Sequence, residues 1–222
     1  MQVELDPIVQ KLGLRASDDG SQHRGRAGSH EVVAVLTNIG MAPGAAAARA
    51  LLEIGVDHVM IVGIAGGIDP GRLAIGHVIE PERVIDRAAG RAYVAVPVGG
   101  RVLAGTISCG DDLITDPAAL AAMSAAGVDA LDMETAAIAA VCESAGCAWS
   151  AYRAISDFAG EGIVSDAIFA LTNADGSADP DALARYLAED PTHLEVLGRL
   201  ARDTGIATAA AADAAIAACH VL

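Results

Sequence analysis

The stretch VDALDMETAAIAAVCESAGCAWSAYRAISDFAG, residues 128–160, decides the fold. A short apolar run at 128–131 breaks into the acidic triplet Asp132-Met133-Glu134. Small residues from Thr135 to about Ala145 predict a closely packed helix. A second apolar run, 148–155, ends in Ser156-Asp157. Strand, helix and strand in succession point to an α/β architecture, with two adjacent strands each expected to deliver a carboxylate at its carboxyl end. Ligands of open α/β sheets bind along that edge.

Working back toward the amino terminus, the run 58–64 (HVMIVGI) reads as a buried strand running into Ala65-Gly66-Gly67, with Gly63 to Gly67 expected to form a glycine loop. Residues 31–37 (EVVAVLT) are β-branched and read as another strand. Between them Pro43 stands in the first turn of a helix ending near Ile54. These three elements are expected to form a right-handed βαβ unit with parallel pairing. Residues 16–29 are polar and glycine-rich, which predicts a loop or hairpin tip. Val3, Leu5, Ile8, Val9 and Leu12 approximate helical spacing and predict a helix almost from Met1. Further strands are expected at 77–86, interrupted by Pro81, at 91–96 and at 103–108, with a helix capped by Asp116 and started by Pro117. Beyond Asp157 the chain reads as alanine-rich helices, with a polar loop at 172–181 and a break at Asp190-Pro191.

The 222 residues suit a single α/β domain spanning 1–222. Hydrophobic content of 53% with only 3% aromatic residues implies a core of alanine, valine, isoleucine and leucine. A net charge of -15 disfavours nucleic acid and anionic membranes as partners, since both need a basic footprint. Cys109, Cys142, Cys147 and Cys219 lack metal-binding spacing and read as reduced, buried thiols of a cytoplasmic protein. No leader and no membrane span are expected.

The segments IAGG, CGDD, LDMETAAIA and RAISD, in this order, resemble the nucleoside phosphorylase/nucleosidase superfamily, and most of all its 5′-methylthioadenosine/S-adenosylhomocysteine nucleosidases. The resemblance implies a three-layer αβα sandwich with a mixed, mostly parallel sheet. It implies cleavage of the N-glycosidic bond of a purine nucleoside without cofactor or metal, in a homodimer or higher homo-oligomer. It also implies a strand preceding the first helix, so that this sequence starts inside the turn after it.

Carried onto this chain, the resemblance assigns Glu134 to the ribose hydroxyls, with Asp132 and Met133 beside it. A carboxylate suits a vicinal diol, and its charge favours an oxocarbenium-like transition state. Asp157 becomes the general acid at the purine, which requires a raised pKa, with Ser156 orienting it. Arg153 is expected to pair internally. Glu4 falls where hydrolytic members place a water-activating glutamate. Ile64, Ala65 and Gly66 would border sugar and base, Leu113 and Ile114 the base, Tyr152 would offer backbone contacts to the base edge, and Phe158 would stack on it. Each has a plainer reading: Glu4 and Glu134 as helix-terminal acids, Asp157 as a cap, Met133 as core, and the glycines as a turn.

The sequence also departs from the family. Ile61 and Ile64 replace the arginine and the serine or threonine that bind phosphate in phosphorylase members, which favours water as the nucleophile. The hydrolytic members usually keep serine at position 64. Leu113 replaces the aromatic residue that stacks on the purine, and Cys109 replaces a serine. A phosphate-dependent phosphorylase and a non-catalytic nucleoside-binding protein on the same fold remain the alternatives.

Overall fold

The run HVMIVGIAGG forms the strand β4 (His58–Gly67), whose residues alternate between partly and fully buried along its ten positions. This is the period-2 pattern of an extended chain between two packed layers. In the computed structural model, which describes residues 1–173 and 176–222, β4 lies beside the longest strand. The other elements, in chain order, are α1 (Gln2–Leu12), β1 (Arg15–Ala16), β2 (His23–Ala27), β3 (His30–Ala34), α2 (Met41–Ile54), β5 (Val78–Ile79), β6 (Arg83–Asp86), β7 (Arg91–Tyr93), β8 (Thr106–Cys109), α3 (Pro117–Ala125), β9 (Ala130–Asp132), α4 (Thr135–Ala145), β10 (Ala148–Phe158), α5 (Asp166–Phe169), α6 (Pro180–Glu189) and α7 (His193–Cys219).

Seven strands form the central sheet in the order β5-β10-β4-β9-β8-β6-β7. β10 runs parallel to β4 from Ala148↔His58 to Phe158↔Gly67, with an irregularity between Ile155 and Asp157. β9 pairs parallel with β8, and β8 with β6. β5 and β7 close the two ends antiparallel. Helix α7 packs on β10 and β4 from one side, while α4, with α2 against it, covers the other. Alanines make the α7 contact close: Ala207 and Ala211 meet Ala154, and Ala215 and Ala218 meet Tyr152. The main core lies under α2 and α4, around Ile61, Ile107, Ile138, Trp149 and Ile155. This is the mixed α/β sandwich expected from the sequence.

Three local readings change. β3 and β4 do not form the expected βαβ pair. β3 belongs to a separate antiparallel sheet, β1-β2-β3; the polar stretch at 16–29 supplies the expected hairpin tip between β1 and β2, and also β2 itself. Between β3 and β4 lies a cavity of about 920 Å³, lined by Val33, Val35, Met60, Val62, Ile8 and Ile216 among others. On that side β4 pairs only at its last two residues, Gly66 and Gly67, with β9. The 77–86 stretch splits at Pro81 into β5 and β6, which sit at opposite sides of the sheet. Finally, β9 and β10 are not adjacent. β4 separates them, and β9 crosses the end of β4 antiparallel. The two acidic segments therefore converge from opposite directions on the glycines of β4. The expected 172–181 loop includes Ala174 and Asp175, which lie outside the described residues.

Candidate functional site

Arg153, in the middle of β10, organises the site. Its side chain is only 4% exposed and meets three carboxylates: Asp132 at 2.9 Å, Glu134 at 3.1 Å and Glu4 at 3.7 Å. Its Nε donates to the Thr135 hydroxyl at 3.0 Å. A buried guanidinium needs such partners, because an uncompensated charge in the interior is costly. Burial pulls its pKa down, but Asp132, Glu134 and Glu4 more than reverse this and hold it above the ordinary value.

Each acid is delivered by a different element. Asp132 ends β9; its Oδ2 accepts from the Thr135 amide at 3.2 Å and from the Thr135 hydroxyl, while its buried Oδ1 has no hydrogen-bond partner among the described residues. Glu134 occupies the cap position of α4, yet its side chain makes no capping bond. It instead accepts from the Gly40 amide at 2.9 Å, at the start of α2, and from Arg153. Burial raises the Glu134 pKa above the usual carboxylate range; Arg153 opposes this and Asp132 adds to it. Glu4 stands in the first turn of α1. It pairs with the Met1 ammonium, and its Oε1 accepts from the Ile64 amide at 2.9 Å. The close approach depends on Gly63, where a Cβ would overlap both the Glu4 carboxylate and the Arg153 guanidinium.

The second cluster lies at the end of β10. Ser156 Oγ donates to Asp157 Oδ1 at 2.6 Å. Burial pushes the Asp157 carboxyl above its ordinary range, with Glu161 adding to the rise and Ser156 opposing it. Asp157 faces Gly66, at which a Cβ would stand 3.4 Å from Asp157 Oδ2. The residues 63–67 thus run between the two acidic clusters as extended strand, not as the loop expected, with Glu4 and Glu134 near one end and Asp157 near the other.

The structure thus brings together Glu4, Ile64, Glu134 and Arg153, and separately Gly66, Ser156 and Asp157. Met133 is partly buried beside Glu134. Four assignments need correction. Asp132, its side chain 1% exposed, is held by Arg153 and Thr135, so it supports the site from behind. Tyr152 points to the opposite face of β10, packed under α7, because alternation sends neighbouring residues of a strand to opposite faces. Its backbone pairs with Val62 of β4, and the residue is only 1% exposed. Phe158 packs into the main core across Gly67, so it is no stacking surface. The Ala65 methyl is also in that core, leaving only its backbone near the site. Leu113 and Ile114 are partly buried in the segment after β8.

Sequence reasoning missed Gly40, whose amide holds Glu134, and Arg87, whose guanidinium donates to the carbonyls of Ser108, Gly110 and Asp112. The Asn38-Ile39-Gly40 turn was a usable signal for the first, with Asn38 at φ 61° and Gly40 at φ 111°. Nothing in the sequence marked the second. Among the described residues no group of His, Cys, Asp and Glu is arranged to hold a metal ion.

The sequence profile of the phosphorylase superfamily matches residues 1–99 and 94–188. The chain belongs to the phosphorylase superfamily. Solved structures agree in fold. The 5′-methylthioadenosine/S-adenosylhomocysteine nucleosidase of Neisseria meningitidis, in complex with methylthio-immucillin-A, is 21% identical, covering 100% of this chain and 96% of that one, with a TM-score of 0.72. The corresponding nucleosidase from S. pneumoniae, with a transition-state inhibitor, is 20% identical over 100% and 96%, with a TM-score of 0.73. The futalosine hydrolase of Helicobacter pylori is 18% identical over 96% and 91%, with a TM-score of 0.70. A search of curated proteins finds no match. For a phosphorylase-superfamily chain, the basic side of the site is sparse: Ile61 is buried in the core and Arg153 is committed to carboxylates.

Proposed function

We propose that this protein hydrolyses the N-glycosidic bond of a purine nucleoside, as a nucleosidase of the methylthioadenosine/S-adenosylhomocysteine type. The observation that carries the reading is the balance of charge at the glycines of β4: the Arg153 guanidinium and the Met1 ammonium against three carboxylates. A phosphate dianion entering there would meet an excess of negative charge in a poorly solvated site, where repulsion is weakly screened. Water carries no such penalty.

In this reading the ribose diol donates to the free lone pairs of Glu134, which also stabilises the cationic sugar as the bond to the base breaks. Asp157, whose carboxyl burial pushes toward the protonated form, donates its proton to the ring nitrogen of the leaving purine. Glu4 orients the attacking water and takes its proton as the new C1′–O bond forms. The products are free base and free sugar, and the cycle closes as Glu4 releases its proton to solvent and Asp157 regains one. The reading also takes the protein as cytoplasmic, supported by its free cysteines, and as a homodimer or higher oligomer, supported by the exposed Val94 and Val96. No described helix is long and apolar enough to cross a membrane.

Incubation with a panel of purine nucleosides, with and without phosphate, tests the proposal. Release of free base that is independent of phosphate is expected. Release that requires phosphate and yields sugar 1-phosphate would make the protein a phosphorylase. Binding of nucleosides without turnover would leave it a non-catalytic binder.

A further inference from the structure

We infer that Arg87 is a positioning residue for Glu134, acting through the segment after β8 and the first turn of α2. Arg87 follows β6 and is partly buried. Its Nη1 donates to the Ser108 carbonyl at 2.9 Å, and its Nη2 donates to the carbonyls of Gly110 at 2.9 Å and Asp112 at 2.8 Å. Its own amide donates to the Cys109 carbonyl at 2.9 Å. One side chain therefore binds carbonyls on both sides of Asp111. Residues 111–116 have no helix or strand of their own to hold them.

Asp111 passes the constraint on. Its Oδ1 accepts from the Met41 amide at 2.7 Å, at the beginning of α2, where an acid is favoured by the exposed amides and the helix dipole. The preceding amide, Gly40, donates to Glu134 Oε1 at 2.9 Å. Gly44, one turn on, lies against the Glu134 side chain: a Cβ there would meet Glu134 Cβ at 3.2 Å. Arg87, Asp111, the first turn of α2 and Glu134 are thus connected by hydrogen bonds joined through short stretches of backbone. The end point is a carboxylate whose other hydrogen bond among the described residues comes from Arg153.

The Gly40 amide also sets the charge of Glu134. Burial raises that pKa, and Arg153 and the Gly40 hydrogen bond resist the rise. The charged groups facing Glu134 are Arg153 from β10, Asp132 from β9 and Glu4 from α1. Loss of the Gly40 bond leaves Arg153 to oppose the rise without it, so Glu134 protonates at higher pH. Lysine at position 87 places a compact charge there but cannot span three carbonyls as a planar guanidinium does.

The inference rests on Glu134 being the ribose carboxylate, and two measurements on Arg87→Ala, Arg87→Lys and Asp111→Ala separate the two claims. The first is amide exchange without substrate. Faster exchange is expected at Gly40, Met41 and 109–113 in Arg87→Ala, at Gly40 and Met41 in Asp111→Ala, and an intermediate rate in Arg87→Lys. The second is steady-state cleavage of a purine nucleoside. KM is expected to rise roughly ten- to a hundredfold in Arg87→Ala, the scale of a lost hydrogen bond to a charged group, with a smaller change in kcat. The acidic limb of kcat/KM is expected to move to higher pH, and Arg87→Lys to recover part of both shifts. Asp111 is exposed, so Asp111→Ala keeps the test open if Arg87→Ala does not fold. Unchanged exchange at Gly40 and Met41, or unchanged KM in variants whose exchange is faster, overturns the inference. A wild-type protein that cleaves no nucleoside sinks the functional reading alone, and exchange still decides the relay.

Discussion

Replacing Arg153 by methionine tests the electrostatic account of the site most directly. The side chain is 4% exposed, and its partners Asp132 and Glu134 lie at 2.9 and 3.1 Å. Removing one partner of a buried ion pair costs about 3–5 kcal/mol, because the other charge is left uncompensated. A domain of this size loses about 2–4 °C in Tm per kcal/mol, so a fall of roughly 6–20 °C is expected at about pH 7. The pH dependence fixes the cause. Glu134 has its folded pKa raised above the unfolded value, so its contribution favours folding at low pH, and that advantage is lost as pH rises through the window between the two. Arg153 limits the rise. Without it the window widens upward, so the deficit of Arg153→Met is fully developed near neutrality and shrinks on acidification toward the usual carboxylate range. Thermal melts followed by circular dichroism across that range measure this. A Tm at neutral pH within about 2 °C of wild type, or a deficit that grows on acidification, would refute the charge-balance argument.

Two further substitutions probe the reacting ends of the site. Asp157→Asn keeps the shape but removes the proton donor, so kcat is expected to fall by about 10²–10⁴ with little change in Tm. In the wild type kcat falls as pH rises past the raised Asp157 pKa, and that limb disappears in the variant; a variant keeping the limb excludes Asp157 as the acid. Gly63→Ala drives a methyl into the Glu4 carboxylate and Arg153, costing about 1–3 kcal/mol in urea unfolding and lowering kcat by displacing Glu4. Wild-type stability and rate together would show that Glu4 does not need its place over Ile64.

The sequence carried the local elements well and the long-range pairings poorly, for a physical reason. Helix α4 and strand β10 are bounded by strong local signals: small residues after the acidic triplet, Gly146 in the left-handed conformation at the helix end, and a continuous apolar run. Which strand lies beside which is not written in periodicity. The expected pairing of β3 with β4 and the expected adjacency of β9 and β10 both failed there. The carboxylates were legible by type, but not their division of labour. Asp132 and Glu134, two residues apart, both reach Arg153, and only burial separates the supporting acid from the accessible one. The internal pairing expected for Arg153 is what the geometry gives. The inward turn of Tyr152 was available from alternation alone, since its neighbour Arg153 faces the acids. Arg87 left no trace, because its partners are backbone carbonyls, which every residue has.

The space between β3 and β4 gives the β1–β3 arm a second role. Along most of its length β4 has a ladder on one side only, and an unpaired strand edge recruits other chains. Here the arm stands over that edge. It is latched by α1 and by Leu14, whose side chain lies against Gly25 so closely that a Cβ there would sit 2.6 Å away. The latch is small compared with the core that holds the central sheet, so the arm opens at lower cost than the fold. The backbone uncovered by that opening belongs to the strand on which Glu4 and Asp157 converge. An opened arm would therefore offer other chains a strand edge to pair with while the core stays folded, and that edge runs on into the site.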